Sequence, residues 1–327
     1  MKKLFNIFVV SFALVFSSSV FANKIGVVYD SGGKFDKSFN ELAFKTAERV
    51  KNELGWEMVE FESSNDAQIE QGMRKIADRG ATMIVGMGFA QADAVAAVSA
   101  DYPDIKFVAV DVCWLDDPNN NIYQACYKEH EGSFLVGMMA AMASKTGTIG
   151  FVGGMDIPLI RKFQGGYEQG AQYVNPDIEV LANMTGTTNE AWNNPTKGAE
   201  LTKAQIDGGA DVVYQAAGGT GIGVLQAAAD AGIMGIGVDA NQNWMHPGNM
   251  LTSMLKRLDL TIFAQAEAIA AGTFEPSGQF LSLGLAEGGV GYATEDGMVT
   301  DEMAAAVDAA AADIASGAIV VADWSQE

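Results

Sequence analysis

Along most of the chain, short continuous apolar runs alternate with longer stretches in which apolar residues recur every three or four positions. The runs "KIGVVY", "TMIVGMG", "KFVAVD", "TIGFVGG", "DVVYQAAG" and "IMGIGVD" have the length of strands buried on both faces. The stretches "FNELAFKTAERVKNEL" and "AQIEQGMRKIADRG" have helical spacing. Strand and helix in alternation predict parallel sheets covered by helices on both faces. The rhythm passes through "EHEGSFLVGMMAAMAS", a Met- and Ala-rich helix expected to face a core, and restarts at "SKTGTIG", residues 144–150. That restart is read as the crossing into a second lobe. The two halves share one rhythm without a short repeat, which predicts two similar doubly wound lobes rather than a solenoid.

The first residues depart from this pattern. "MKK", the apolar "LFNIFVVSFALVF" and the small-residue "SSSVFA" have the order of a secretory signal peptide, with cleavage expected after Ala22. No Cys lies at the cut, so no lipid anchor is expected there, and the expected location is the periplasm. Removing residues 1–22 takes away Lys2 and Lys3 and no acid, so the formal charge of -21 becomes -23. Such a surface repels phosphate backbones and anionic lipid heads, which argues against nucleic acid and membrane surfaces as partners. The remaining length suits about two domains. Cys113 and Cys126, the only cysteines, flank the turn-rich "WLDDPNNN" between the strand "KFVAV" and the expected strand "NIYQA". Strands joined in this way can lie side by side, so in an oxidising compartment the two thiols are placed to pair.

Candidate chemistry concentrates at strand ends. Asp30 follows "GVVY", Gly88 and Phe89 follow "IVGM", Asp111 follows "FVAV", Gly218 follows "VYQAA" and Asp239 follows "GIGV". Any one of these Asp residues alone reads first as a helix N-cap. In open α/β sheets, however, ligands bind beyond the carboxyl ends of the strands, and five such ends point to one interlobe cleft. Catalytic groups are few. His130 reads as a helix-start residue and His246 as a loop residue; neither has Cys or carboxylate neighbours at metal-ligand spacing. "GGTGIG", residues 218–223, lacks the glycine spacing of a dinucleotide loop, yet it brings backbone N–H groups to a helix N-terminus.

The segments "GGKFDKSFN", "EGSFLVGMMAA", "GFVGGMDIPLIRKFQGGYEQG", "NNPTKGAELTKAQIDGGADVVYQAAGGTGIGV", "GVDANQN", "TSMLKR" and "GLAEGGVGY" resemble, in order, the basic membrane protein family of ABC-transporter substrate-binding proteins. Known members of that family include purine nucleoside receptors. The resemblance implies a type I periplasmic-binding-protein fold, two lobes joined by a multi-strand hinge and closing on a nucleoside. It implies partnership with an ABC permease and ATPase and no cofactor, metal or catalytic group. The expected molecule is a monomer.

Carried onto this sequence, the resemblance implies Phe35 and Trp192 as aromatics that sandwich the base from opposite lobes. Phe39 is then expected in the core of its own lobe. Asp30, Ser38 and Asn40 are the implied polar contacts of the opening loop, beside Phe89; Asp111, Gly218, Asp239 and Lys256 complete the set. Within the set, Asp239 and Lys256 are expected to clamp the ribose. The expected lobes are 23–146 with about 252–280, and 147–251 with about 281–327. Alternatives are a receptor for a free purine base, a periplasmic sensor module and, with no evident nucleophile, a nucleoside-cleaving enzyme.

Overall fold

The computed structural model describes residues 22–63 and 65–326. The expected signal peptide lies outside the described residues apart from Ala22. The first half comprises β1 (Lys24–Tyr29), α1 (Phe39–Leu54), β2 (Glu57–Glu62), α2 (Ile69–Asp78), β3 (Met83–Met87), α3 (Ala92–Asp101), β4 (Lys106–Val110), β5 (Ile122–Tyr127) and α4 (Glu129–Ala143). Then follow β6 (Thr148–Met155), α5 (Pro158–Val174), β7 (Glu179–Gly186), α6 (Pro195–Asp207), β8 (Val212–Ala216), α7 (Gly221–Asp230), β9 (Met234–Asp239) and β10 (Met250–Lys256). The chain closes with α8 (Leu258–Ala271), β11 (Ser282–Leu283), β12 (Val290–Tyr292) and α9 (Asp301–Ser316).

These strands form two six-stranded sheets of matching order, β11-β5-β4-β3-β1-β2 and β12-β10-β9-β8-β6-β7. All pairings are parallel except that of β10 with β12. Side-chain alternation explains the layers. In the first lobe Ile25, Val27, Val85 and Val108 face one apolar cluster, against which α1 packs, while Val28, Ile84 and Phe107 face a second cluster with α2 and α3. In the second lobe Phe151, Tyr214, Ile236 and Val238 pack toward α4 and α5, and Val152 and Val213 toward α6 and α7. Strands buried on both faces read as unbroken apolar runs, which is why β1, β3, β4, β6, β8 and β9 are legible in the sequence. β2, "EMVEFE", escaped that reading because it is an edge strand with Glu57, Glu60 and Glu62 exposed. β10, "MLTSMLK", hides Thr252 and Ser253 in a buried strand, where their hydroxyls donate to the Ala293 carbonyl at 2.7 Å and to Asn243 Oδ1 at 2.8 Å.

The chain passes between lobes three times, the first well before its expected place and the other two within a few residues of theirs. The first follows β5, at Lys128, rather than residue 146, because α4 already packs on α5 and β10 of the second lobe. The reason is backbone proximity. A Cβ at Gly137 would run into the Tyr167 carbonyl, and one at Gly166 or Gly170 into the carbonyls of His130 and Phe134. Glycine therefore lets α4 and α5 touch backbone to backbone. The second crossing follows Lys256 rather than residue 252, since β10 pairs with β9 up to Leu255 and with β12 at Lys256, while α8 packs on α1. The third lies between β11, paired with β5, and β12, paired with β10, rather than at residue 281.

Cys113 and Cys126 are bonded to each other, with Cα atoms 5.6 Å apart, and join the end of β4 to β5 inside the first lobe. Among the described residues, no helix is long and apolar enough to cross a membrane.

Candidate functional site

The matching sheets place matching strand ends opposite each other. Asp111, just after β4, and Asp239, at the end of β9, occupy equivalent positions in the two sheets, and both backbones are left-handed with φ +63°. Gly88 after β3 (φ +91°) and Gly218 after β8 (φ +55°) form a second such pair. Left-handed turns are unfavourable for most residues and tolerated by Gly and Asp, so these strands end abruptly and turn their last groups into the space between lobes. That space is a cleft lined by residues of both lobes. Asp30, Gly88, Phe89, Asp111, Gly218 and Asp239 all line it, as do Trp192 and Lys256.

The opening loop divides its work differently from the expectation. Asp30 lines the cleft, and its Oδ1 accepts from Asn40 Nδ2 at 2.6 Å and from the Gly32 N–H at 2.8 Å. Asn40 is therefore buried behind Asp30 and orients it instead of lining the cleft. Asp36, which the sequence reading passed over, lines the cleft and caps α1: its carboxylate accepts from the N–H groups of Ser38, Asn40 and Glu41 at 2.8, 2.9 and 3.1 Å. Burial pushes the Asp36 carboxyl up to about 8, against those three donors. Ser38 reaches the other lobe, donating to Asp239 Oδ2 at 2.5 Å.

The two phenylalanines share out differently from the expectation. Phe35, expected to stack, is 59% exposed, packs edge-on against Phe44 with centroids 5.7 Å apart, and does not line the cleft. Phe39 is buried in the apolar core, as expected, and is also the cleft-lining ring of this loop. The reason is the Asp36 cap: it starts α1 at Phe39, so that residue leaves the first helical position toward the strand ends, while Phe35 precedes the cap on the outer surface. No sequence periodicity distinguishes two phenylalanines four residues apart at a helix start.

In the second lobe Trp192 lies in a short 3-10 turn and its ring covers Gly154 of β6, where a Cβ would collide with the indole. The turn is fixed by Thr220, whose Oγ1 donates to the Ala191 carbonyl at 2.7 Å and accepts from the Asn194 N–H at 2.6 Å. This ties Trp192 to the Gly218 loop at the start of α7. Leu159, Ile160 and Phe163, from the first turns of α5, complete an apolar wall; the sequence reading had not selected them.

Lys256 is 1% exposed. Its Nζ lies 2.6 Å from Asp111 Oδ1 of the first lobe and 2.9 Å from Glu129 Oε1 at the start of α4. Glu129 Oε2 in turn lies 2.7 Å from Lys162 Nζ on α5. Burial would strip the Lys256 proton, but Asp111, Glu129 and Asp239 raise its pKa above the ordinary lysine value. Burial raises Asp111 to about 6, with Lys256 opposing, whereas for Glu129 the ammoniums of Lys162 and Lys256 overcome burial and bring it down to about 2. Burial also raises Asp30 and Asp239. Glu129 has no signal in the sequence beyond lying in a helix, and Lys162 only its place in a family segment, since folding alone sets them beside Lys256.

The lobes touch around the cleft. Besides Ser38 with Asp239 and Asp111 with Lys256, Gln242 Nε2 donates to the Lys37 carbonyl at 3.0 Å. The arrangement is an apolar cleft with rings from both lobes, rimmed by hydrogen-bond acceptors and one ammonium. It suits an uncharged aromatic molecule carrying several N–H or O–H donors. Among the described residues, no group of three His, Cys, Asp or Glu side chains is placed to hold a metal ion.

Residues 22–324 match the family model described as ABC transporter substrate-binding protein PnrA-like (Bmp). The chain is 33% identical over 304 residues to Basic membrane protein A2 of Borrelia garinii subsp. bavariensis, covering 91% of this chain and 88% of that one. It is 31% identical over 320 residues to the ABC transporter nucleoside-binding protein BmpA of Lactococcus lactis subsp. cremoris, again covering 91% and 88%. Among solved structures, an ABC transporter solute-binding protein of Aeropyrum pernix K1 superposes with a TM-score of 0.82 at 27% identity, over 92% of this chain and 93% of that one.

Proposed function

This chain belongs to the Bmp family of PnrA-like ABC transporter substrate-binding proteins, and we propose that the molecule it delivers is a purine nucleoside, held between the lobes in the periplasm after removal of residues 1–22. Such proteins bind a ligand and work with a permease and an ATPase. The observation that carries the nucleoside reading is the combination in one cleft of Phe39 and Trp192 from opposite lobes with Asp30, Asp111, Asp239 and Lys256 at the strand ends. A base presents two flat faces and a donor-bearing edge, and a ribose presents adjacent hydroxyls. Two rings answer the first need and buried acceptors the second. Asp239 accepts from the ribose and Lys256 donates to it in this reading.

Binding serves transport and not cleavage, and the protein acts as a monomer. Calorimetry of the mature protein with inosine, guanosine and adenosine, and with hypoxanthine and adenine, tests the reading. Micromolar or tighter binding of a nucleoside with weaker binding of its base is expected. Tighter binding of the free base would make this a base receptor, and release of base from bound inosine would make it an enzyme.

A further inference from the structure

We propose that Glu129, with Lys162 behind it, is the positioning residue that keeps the Lys256 ammonium charged and aimed into the cleft, whether the lobes are apart or together. Four buried groups form one row: Asp111, Lys256, Glu129 and Lys162, with neighbouring N···O distances of 2.6, 2.9 and 2.7 Å. Two carboxylates and two ammoniums sum to zero, which is the condition under which charges are tolerated in a dry interior. The row is not confined to one lobe. Asp111 belongs to the first lobe, whereas Lys256, Glu129 and Lys162 belong to the second. Separation of the lobes takes Asp111 away from Lys256 and leaves Glu129 as its remaining partner at ion-pair distance.

Glu129 is in turn fixed at its other oxygen. Lys162 Nζ both pairs with Glu129 Oε2 and donates to the Tyr127 carbonyl, the last residue of β5 at the first crossing. Glu129 is therefore held from turning both oxygens onto Lys256 and drawing it back from the cleft. An ammonium has three hydrogens. Asp111 Oδ1 and Glu129 Oε1 lie at ion-pair distance from that of Lys256, which also lines the cleft and so faces any ligand there. Asp239 is the further carboxylate facing Lys256, and His130 the further titratable group facing Lys162. Glu129 and Lys162 do not themselves line the cleft, so they act through Lys256.

The affinity part of this inference rests on the nucleoside reading; the charge part does not. The test is calorimetry with inosine and 2′,3′-dideoxyinosine on the wild type and on Glu129→Gln, Glu129→Asp and Lys162→Met. It is joined to ¹⁵N NMR of lysine side chains across pH, the Lys256 signal being assigned by its loss in Lys256→Arg. The wild type is expected to prefer the ribonucleoside tenfold or more. Glu129→Gln and Lys162→Met should each cut that preference at least fivefold while changing dideoxyinosine affinity less than twofold, with partial recovery in Glu129→Asp. In the unliganded wild type, the Lys256 signal should remain an ammonium beyond the pH at which exposed lysines titrate, about 10.4. Full preference in folded Glu129→Gln protein overturns the inference. So does a Lys256 signal that titrates with the exposed lysines, a result that does not depend on Glu129→Gln folding. If the wild type binds neither inosine nor its dideoxy form, the nucleoside reading fails, and comparison of the Lys256 titration in the wild type and in Glu129→Gln still decides the role of Glu129: an identical titration overturns it.

Discussion

Ser38 Oγ of the first lobe donates to Asp239 Oδ2 of the second at 2.5 Å, so two buried residues 201 positions apart share a hydrogen between the lobes. A hydrogen bond to a charged acceptor contributes about 1.5–3 kcal/mol when buried. Because this one forms between lobes, its loss acts on closure. Ser38→Ala is expected to weaken ligand binding about tenfold, about 1.4 kcal/mol, with the melting temperature of the unliganded protein nearly unchanged. Titration calorimetry and thermal unfolding of the same sample check it; unchanged affinity would show that the contact does not contribute to closure.

Phe39 on the cleft and Phe35 on the outer surface give a contrast within one loop. Stacking of a base on an aromatic is worth about 1–3 kcal/mol by alanine substitution in single-strand binders. Phe39→Ala and Trp192→Ala should each weaken nucleoside binding at least fivefold, and Phe35→Ala should leave it within twofold. A large loss in Phe35→Ala would mean that this loop rearranges when the ligand enters.

A site built to pair hydroxyls binds an analogue lacking them poorly, because its own buried polar groups go unpaired. Asp239 and Lys256 are both buried in the cleft wall. Ribonucleosides are expected to bind at least tenfold more tightly than 2′,3′-dideoxynucleosides. Equal affinities by calorimetry would remove the ribose from the proposed contacts.

The Cys113–Cys126 bond closes a loop with a sequence separation of 13 residues. Constraining the unfolded chain over such a loop stabilises by about 3 kcal/mol. The denatured, unreduced protein should show no free thiol, and reduction should lower the urea midpoint without abolishing binding, since neither Cys lines the cleft.

Acid should act through Glu129. Its carboxyl is brought below the ordinary value of 4.5 to about 2, so the folded state binds its proton more weakly than the unfolded state does. The stabilisation is then fully present above pH 4.5 and is lost as pH falls toward 2. Glu129→Gln should be less stable at pH 7 and should show a flatter decline between pH 4.5 and 2. Parallel stability curves for the two proteins would assign the acid limb to other groups.

The sequence by itself determined the two-lobed architecture, because strands buried on both faces must be written as continuous apolar runs and their covering helices must carry a 3.6-residue period. It also marked Asp30, Gly88, Phe89, Asp111, Gly218 and Asp239, since in a parallel sheet the residue after each strand lies at one common edge whatever the packing details. The family motifs added Trp192 and Lys256. Tertiary structure alone decided the rest. Which phenylalanine enters the cleft depends on the Asp36 cap, a side-chain geometry that leaves no periodic trace. The lobe crossings depend on which sheet a helix packs against, and α4 is apolar on enough faces to suit either. Asn40 and Ser38 act on Asp30 and Asp239, and Glu129 and Lys162 stand beside Lys256, because contacts between residues up to 201 positions apart are set by how lobes and helices meet, which local sequence does not encode.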